Sequence, residues 1–246
     1  MKQLLDHFEP VFANTEALKK EVFKIRHEVY GERLGWESVT ESGLEYDEYD
    51  QYAFHYLVRH RRTGLFIGTS RLVVIDEESP FDQTPAERFA GDKLYAEKVR
   101  FGGLDKPKTE FSRITILSDW RQRIDNLTEE EKSFGNFAIM LIALPPIYTA
   151  ISLNYTSGLA ILERKFIRRL KLLGFLCNVV SEPIEHRGTR YVVQLLAHDV
   201  LRDITRDSFE IYDEIRKSIT LDSESKGIPG SLGEQVRADL SDSIDK

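Results

Sequence analysis

Residues 54–75 read FHYLVRHRRTGLFIGTSRLVVI. Two runs, FHYLVRHRR and LFIGTSRLVVI, are rich in β-branched and aromatic residues and flank Thr63-Gly64. Such runs around a turn pair form a β-hairpin. This is the strongest hairpin signal in the chain. Two residues in it are not explained by the hairpin alone. His55 alternates with apolar neighbours, as a satisfied core histidine does. Arg71 stands inside an apolar run, where a charge is costly unless it is paired, at an edge or functional.

Upstream, HFEPVFAN (7–14) reads as a strand. Asn14 or Thr15 caps the helix that follows, which ends near Tyr30. Val22, Ile25 and Val29 recur on one face of it, flanked by Arg26 and Tyr30, four apart. Gly35 breaks the helix and Trp36 follows at once. The loop GWESVTESGLEYDEYD carries Asp47 and Asp50, three apart. They are either a solvated acidic loop or a pair able to orient a cation or an amine.

Downstream, residues 76–108 read as a polar, proline-containing connection. TEFSRITIL (109–117) is a strand with Glu110 and Ser112 on one face, Phe111 and Arg113 on the other. A carboxylate in such a run needs an edge, a partner or a task. Thr128 and Glu131 form a capping box that opens a helix to about Asn154. SGLAILE (157–163) is a strand ending in Glu163. RKFIRRLKLLG (164–174) is an amphipathic helix: Phe166, Ile167, Leu170 and Leu173 share one face, with Arg164, Lys165, Arg168, Arg169 and Lys171 opposite. Gly174 stops it. FLCNVVS and RYVVQLLA, joined through EHRGTR, close the sheet. Residues 203–219 add a helix, and from Thr220 the chain is rich in Ser, Asp and Gly. The expected organisation is one domain, 1–219, with a disordered tail, 220–246. The fold class is α/β (α+β), a mixed central sheet with helices on both faces.

The 34 basic and 41 acidic residues give a net charge of −7, which argues against non-specific nucleic-acid binding. The single cysteine, Cys177, cannot form an internal disulfide and fits a reducing compartment. MKQLLDHFEP lacks the apolar segment of a signal peptide. The longest apolar run, FAIMLIALPPIYTAISL (137–153), is short for a membrane span and is interrupted by Pro145-Pro146. A cytoplasmic location is expected. The six histidines show no metal-ligand spacing. No nucleophile elbow, Walker loop or Gly-x-Gly-x-x-Gly occurs.

Taken in order, IRHEVYGERLGWE (25–37), EYDEYD (45–50), GTSRL (68–72) and TEFSR (109–113) resemble the autoinducer synthases, which make acyl-homoserine lactones. The resemblance covers roughly residues 8–200. A sister group is more similar still, the N-acyltransferases associated with PEP-CTERM/exosortase systems. FHYLVRHRRTGLFIGTSRLVV, WRQR (120–123), Glu163, Arg168, Gly174 and HRGTR (186–190) carry that likeness, with Arg164 in place of the group's usual proline. Both groups are similar to the GNAT acyltransferases and to long-chain N-acyl amino acid synthases.

The resemblance implies a GNAT-like fold and an N-acyltransferase that moves a fatty acyl group from a thioester to a primary amine. No permanently bound cofactor or metal is implied; the co-substrate is an acyl-phosphopantetheine thioester, on acyl carrier protein or coenzyme A. Arg26, Tyr30 and Trp36 would belong to a mobile lid, ordered with the acceptor by Asp47, Asp50 and Arg71. Arg113 completes the E-x-S-R motif, and His55 is grouped with the substrate-binding residues. Glu110 is favoured as base or amine holder, with Glu163 shaping the acceptor pocket. Arg121 and Arg123 would meet the pantetheine phosphate. The usual glycine phosphate loop is absent after Ile116, which shifts the expected donor toward acyl carrier protein, docked on Arg164, Arg168 and Lys171. Two other readings stand beside this one: a lactone synthase using S-adenosylmethionine, and a non-catalytic acyl-carrier binder.

Overall fold

The computed structural model describes residues 3–77, 79–101, 108–134, 137–153, 155–172, 174–196, 199–200 and 211–217. The β-branched runs build one mixed sheet of eight strands among these residues. They are β1 (Phe8–Phe12), β2 (Ala53–His60), β3 (Phe66–Ile75), β4 (Lys108–Ile116), β5 (Ser157–Glu163), β6 (Cys177–Val179), β7 (Ile184–Glu185) and β8 (Thr189–Leu196). The spatial order is β1-β2-β3-β4-β5-β8-β6, with β7 also on β8. All pairs are antiparallel except β4 with β5, which is parallel and registers only at Glu110 against Leu159. The two strands therefore part almost as soon as they meet.

Alternation along β3 assigns the faces. Gly68, Ser70, Leu72 and Val74 point to the side covered by α5 (Ala138–Ser152), while Arg71, Val73 and Ile75 point to the other. That second side is covered by α2 (Glu16–Arg26), the 3-10 helix Glu48–Tyr52 and α3 (Pro85–Ala90). Thr15 caps α2, accepting from the Leu18 N–H at 3.3 Å. A short α1 (Leu4–His7) precedes β1.

Helix α5 is buried from Ala138 through Ala150 and contains both prolines. Pro146 has no N–H to offer the carbonyl of Ile142, four residues back. Ser70 of β3 donates to that carbonyl instead, at 2.7 Å. The approach is close: a Cβ on Gly68 would lie 2.6 Å from both Ile142 Cδ1 and the Thr115 carbonyl. Only glycine lets this helix lie so near the sheet.

Three expectations change. The polar segment after Asp76 holds helix α3, whose first turn carries Pro85 and a reciprocal Thr84–Glu87 cap. The Thr128–Glu131 capping box is present, at 2.7 and 3.1 Å, but the helix it opens is α4 (Glu129–Phe134), distinct from α5. Helix α2 does not stop at Tyr30; it widens into a π-helical segment, His27–Arg33. Helix α6 (Arg164–Leu172) buries Ile167 and Leu170 as its periodicity demands, ahead of Gly174 at φ +88°. Leu173 lies outside the described residues. Of the expected helix at 203–219, residues 211–217 are helical, with Ile211, Tyr212 and Ile215 buried; the tail 220–246 lies outside the described residues. No helix among those described is long and apolar enough to cross a membrane.

Candidate functional site

Where β4 and β5 part, a cleft of about 910 Å³ opens. Its walls carry polar side chains, Asp47, Glu48, Glu110, Ser112, Arg113, Arg187 and Arg190 among them, and apolar ones, including Ile114, Ile116, Ile139, Leu162 and Phe166. Tyr30 and Trp36 also line it, their rings stacked with centroids 6.1 Å apart.

Glu110 is buried on β4, opposite Val73. Its carboxylate accepts the Ala86 N–H from the first turn of α3 at 2.5 Å. Burial pushes its pKa up to about 7, against the pull of Arg71 and Arg113. A carboxyl group poised near neutrality in a cleft has the right strength to accept and release a proton at working pH.

Arg113 does not follow the strand alternation. Its φ is +52°, and the register slips so that one β3 residue, Ser70, faces two on β4. This bulge turns Arg113 to the same face as Glu110 and Ser112. There it donates to Glu45 at 3.0 Å and to Asp47 at 3.1 Å. Behind it lies a buried ion network. Arg26 grips Asp50 with two bonds, at 2.7 and 3.0 Å, and also bonds Glu45. Arg71 reaches Asp50 at 2.8 Å, Asp47 at 2.6 Å and the Ser112 hydroxyl at 3.1 Å. Burial alone would raise the carboxyl pKa values of Asp50 and Glu45. The facing guanidiniums, Arg71 and Arg26 for Asp50 and Arg26 and Arg113 for Glu45, hold both below the usual range. Asp47 and Asp50 are thus not a solvated loop; they also cap the 3-10 helix.

Several expected site residues stand behind the cleft rather than in it. Arg26 is fully buried, and Arg26, Asp50, Arg71 and His55 are not among its lining residues. Arg26 therefore supports the wall through Glu45 and Asp50 instead of closing over a ligand. His55 bonds the Asp50 carbonyl at 3.1 Å, and burial lowers its pKa to about 4, so it is neutral at physiological pH. Arg121 lines the cleft, its guanidinium 4.6 Å from the Trp120 ring. Arg123 points elsewhere, bonded to Glu28 and Asp119. Glu163 lines the cleft but is half exposed and paired with Arg190 at 3.1 Å. Arg164, Arg168 and Lys171 are exposed on the outer face of α6, while Phe166 and Arg169 of the same helix reach the cleft. Cys177 is buried, which pushes its thiol up to about 11. No group of three His, Cys, Asp or Glu among the described residues could hold a metal.

Glu45 and Arg187 lie inside quoted motifs, but no local pattern gave their partners. Glu45 has partners 19 and 68 residues away. Arg187, in the HRGTR turn at φ +55°, donates to the Trp36 carbonyl and to Glu37 at 3.0 Å. Arg88 and Phe89 arrive with the unexpected α3.

A mixed sheet whose neighbouring parallel strands splay around a cleft is the GNAT architecture, and residues 25–126 match the acetyltransferase (GNAT) domain family. A segment of 52 residues is 38% identical to an acyl-homoserine-lactone synthase of Vibrio anguillarum; it takes in 21% of this chain and 27% of that enzyme's length. The fold is also that of the CoA-dependent acyl-homoserine lactone synthase BjaI, solved with SAM and isopentyl-CoA. The TM-score is 0.54 at 17% identity, over 85% of this chain and 89% of that one. FeeM, an N-acyl amino acid synthase from uncultured soil microbes, superposes with a TM-score of 0.51 at 11% identity, over 82% and 97%. At these identities the structural likeness is one of fold.

Proposed function

We propose that the protein is an N-acyltransferase that moves an acyl group from a phosphopantetheine thioester to a small primary amine. The observation that carries this reading is Glu110: a buried carboxyl group with its pKa near 7, in the cleft where β4 and β5 part. Acyl transfer to nitrogen needs the amine stripped of its extra proton in a site shielded from water. Glu110 takes that proton. The free amine adds to the thioester carbonyl, the C–S bond breaks, and the thiol leaves with a proton. No enzyme nucleophile is needed. The apolar walls formed by Ile114, Ile116, Ile139, Leu162 and Phe166 suit the acyl chain. Tyr30 and Trp36 close the acceptor side, and Glu163 shapes it through Arg190.

The preferred donor in this reading is acyl carrier protein, and the reaction takes place in the cytoplasm. Helix α6 supports the choice, because its outer face carries exposed Arg164, Lys165, Arg168 and Lys171 on a chain of net charge −7, while its inner residues reach the cleft. Opposed charge fields speed encounter and lose force as salt rises. Purified protein should release free thiol from acyl carrier protein in the presence of amines and yield an N-acyl product by mass spectrometry. Arg168→Glu with Lys171→Glu should raise the KM for the carrier several-fold at low salt and leave a short acyl-pantetheine unaffected. An equal effect on both donors would reduce the face to a solvated surface. Carrier binding without thiol release would make the protein a binder only.

The match to the Vibrio anguillarum enzyme favours a second reading, lactone synthesis from S-adenosylmethionine. Methylthioadenosine released in step with thiol identifies that reaction; thiol released with other amines and no methylthioadenosine rejects it.

A further inference from the structure

Helix α3 was not expected from the sequence, yet it touches both strands that frame the cleft. On one side Ala86 and Ala90 are buried in a cluster with Leu159 of β5 and Val192 of β8, and Ile161 of β5 packs against it. On the other side its first turn is tied to β4. The Ala86 N–H donates to Oε2 of Glu110 at 2.5 Å. Lys108, two residues before Glu110, donates to Glu87 at 3.0 Å and to the Asp82 carbonyl at 2.7 Å. Arg88 holds the far end of the helix to Glu48 at 2.6 Å.

The bond to Glu110 is not part of the helix's own capping. N–H groups in a first turn have no acceptor within the helix. The Thr84 hydroxyl serves the Glu87 N–H at 3.2 Å, which leaves the Ala86 N–H to find another partner. Ala86 is fully buried, so without Glu110 this donor would be stranded away from water. A carboxyl group rotates freely about its last torsion, because that torsion has only broad minima. A single fixed donor on one oxygen removes that freedom. The same helix carries Arg88 and Phe89 into the cleft wall, so one element holds both the base and part of the surface facing it.

We propose that α3 is the positioning element of the base: the Ala86 N–H pins one carboxylate oxygen of Glu110, so that the other faces the amine in the cleft. The proposal rests on the acyltransferase reading above and adds Ala86 to it as a positioning residue. The charges that act on Glu110 are Arg71 of β3 and Arg113 of β4, and the Ser112 hydroxyl bonds it as well. The charged residues of α3 are engaged elsewhere, Glu87 with Lys108 and Arg88 with Glu48. With the Ala86 N–H, the two arginines and Ser112 favour the ionised carboxylate against burial. Removing the N–H therefore makes Glu110 harder to ionise and also leaves it unaimed.

The test removes the N–H and leaves Glu110 in place. Ala86→Pro has no N–H at that position, and proline is tolerated in a first helical turn. Ala86→Gly keeps the N–H and is its conservative partner. The Glu110 carboxyl group is titrated by carbon-13 NMR of glutamate-labelled protein, with Glu110→Gln assigning the signal, and the pH dependence of kcat/KM is followed by thiol release. A hydrogen bond to a charged group is worth about one to two pH units. Ala86→Pro should therefore move both midpoints up by that amount, from about 7. Its kcat on the high-pH plateau should fall about tenfold or more, because an ionised but unheld carboxylate is misplaced, while the KM of the donor stays fixed. Ala86→Gly should keep the wild-type midpoints. Should Ala86→Pro not fold, Thr84→Ala with Glu87→Ala, which strips the cap from the same turn, should shift the midpoints in the same direction. Midpoints that stay put, or that shift equally in Ala86→Gly and Ala86→Pro, would overturn the proposal. So would a shifted midpoint with an unchanged plateau, since the N–H would then tune the base without aiming it. Absence of thiol release with any amine would instead defeat the acyltransferase reading, and the NMR midpoints would still report on the Ala86 contact.

Discussion

Replacing Glu110 by glutamine should make the protein less active and, at alkaline pH, more stable. The usual carboxyl value of 4.5 applies in the unfolded chain, whereas burial raises the folded value to about 7. Below pH 4.5 both states hold the proton and nothing is lost. Between the two values the unfolded chain releases a proton that the folded one keeps, so stability falls as pH rises through 7. The gap, at about 1.4 kcal/mol per pH unit, amounts to about 3 kcal/mol at pH 8.5. Glutamine never ionises, and its amide oxygen can still accept the Ala86 N–H. Melting temperatures of both proteins should therefore agree near pH 4.5 and diverge by roughly 6–12 °C at pH 8.5, glutamine higher, for a chain of this size. Thiol release should fall by about 10²–10⁴-fold, as expected for a lost general base. The wild-type kcat/KM should rise with pH through about 7, and the variant should lack that rise. A melting-temperature difference that does not change with pH would refute the raised pKa, and unchanged turnover would pass the role of base to Glu163.

Arg26→Met should cost about 3–5 kcal/mol, because it leaves Glu45 and Asp50 buried against a neutral side chain; denaturant titration measures it, and a loss below 1 kcal/mol would mean that water reaches the network. Ser70→Ala should cost about 1–3 kcal/mol by stranding the Ile142 carbonyl that Pro146 cannot serve; a neutral outcome in the same titration would show that another donor reaches that carbonyl. Trp36→Ala should lower kcat/KM about tenfold with a small change in melting temperature, since the ring is half buried and packs on Tyr30 and two arginines at the cleft. A steep drop in melting temperature with activity intact would make Trp36 a core anchor.

What could be read in the sequence was local. The hairpin at 54–75, the Thr128–Glu131 cap and the two faces of α6 are set by residues within a few positions of one another, and each formed as its pattern required. Helix α3 was legible in principle, because Thr84, Pro85 and Glu87 spell a helix start. Its six residues bury only Ala86 and Ala90, too little to register as a period in a polar segment. Glu110 stood out because a carboxylate inside a strand asks for a reason. The full set of partners of Asp47 and Asp50 could not be read, since Arg113 meets Asp47, and Arg26 meets Asp50, only once α2, β4 and the 3-10 helix come together.

Arg113 shows why strand alternation failed where it mattered most. A positive φ at a non-glycine residue costs of order 1–2 kcal/mol, and the sequence pattern alone gives no reason to accept that. The reason lies in charge balance. Arg26 and Arg71 are buried with two carboxylates, Glu45 and Asp50, and Asp47 stands at their edge, partly exposed to the cleft. Two cations against three anions leave one carboxylate at the rim of the network without a cation of its own, in a setting where burial makes an unanswered charge costly. Turning Arg113 inward supplies the third cation, and the bulge that turns it lies three residues beyond Glu110, the single position where β4 registers with β5. The same distortion thus neutralises the network and accompanies the opening of the cleft.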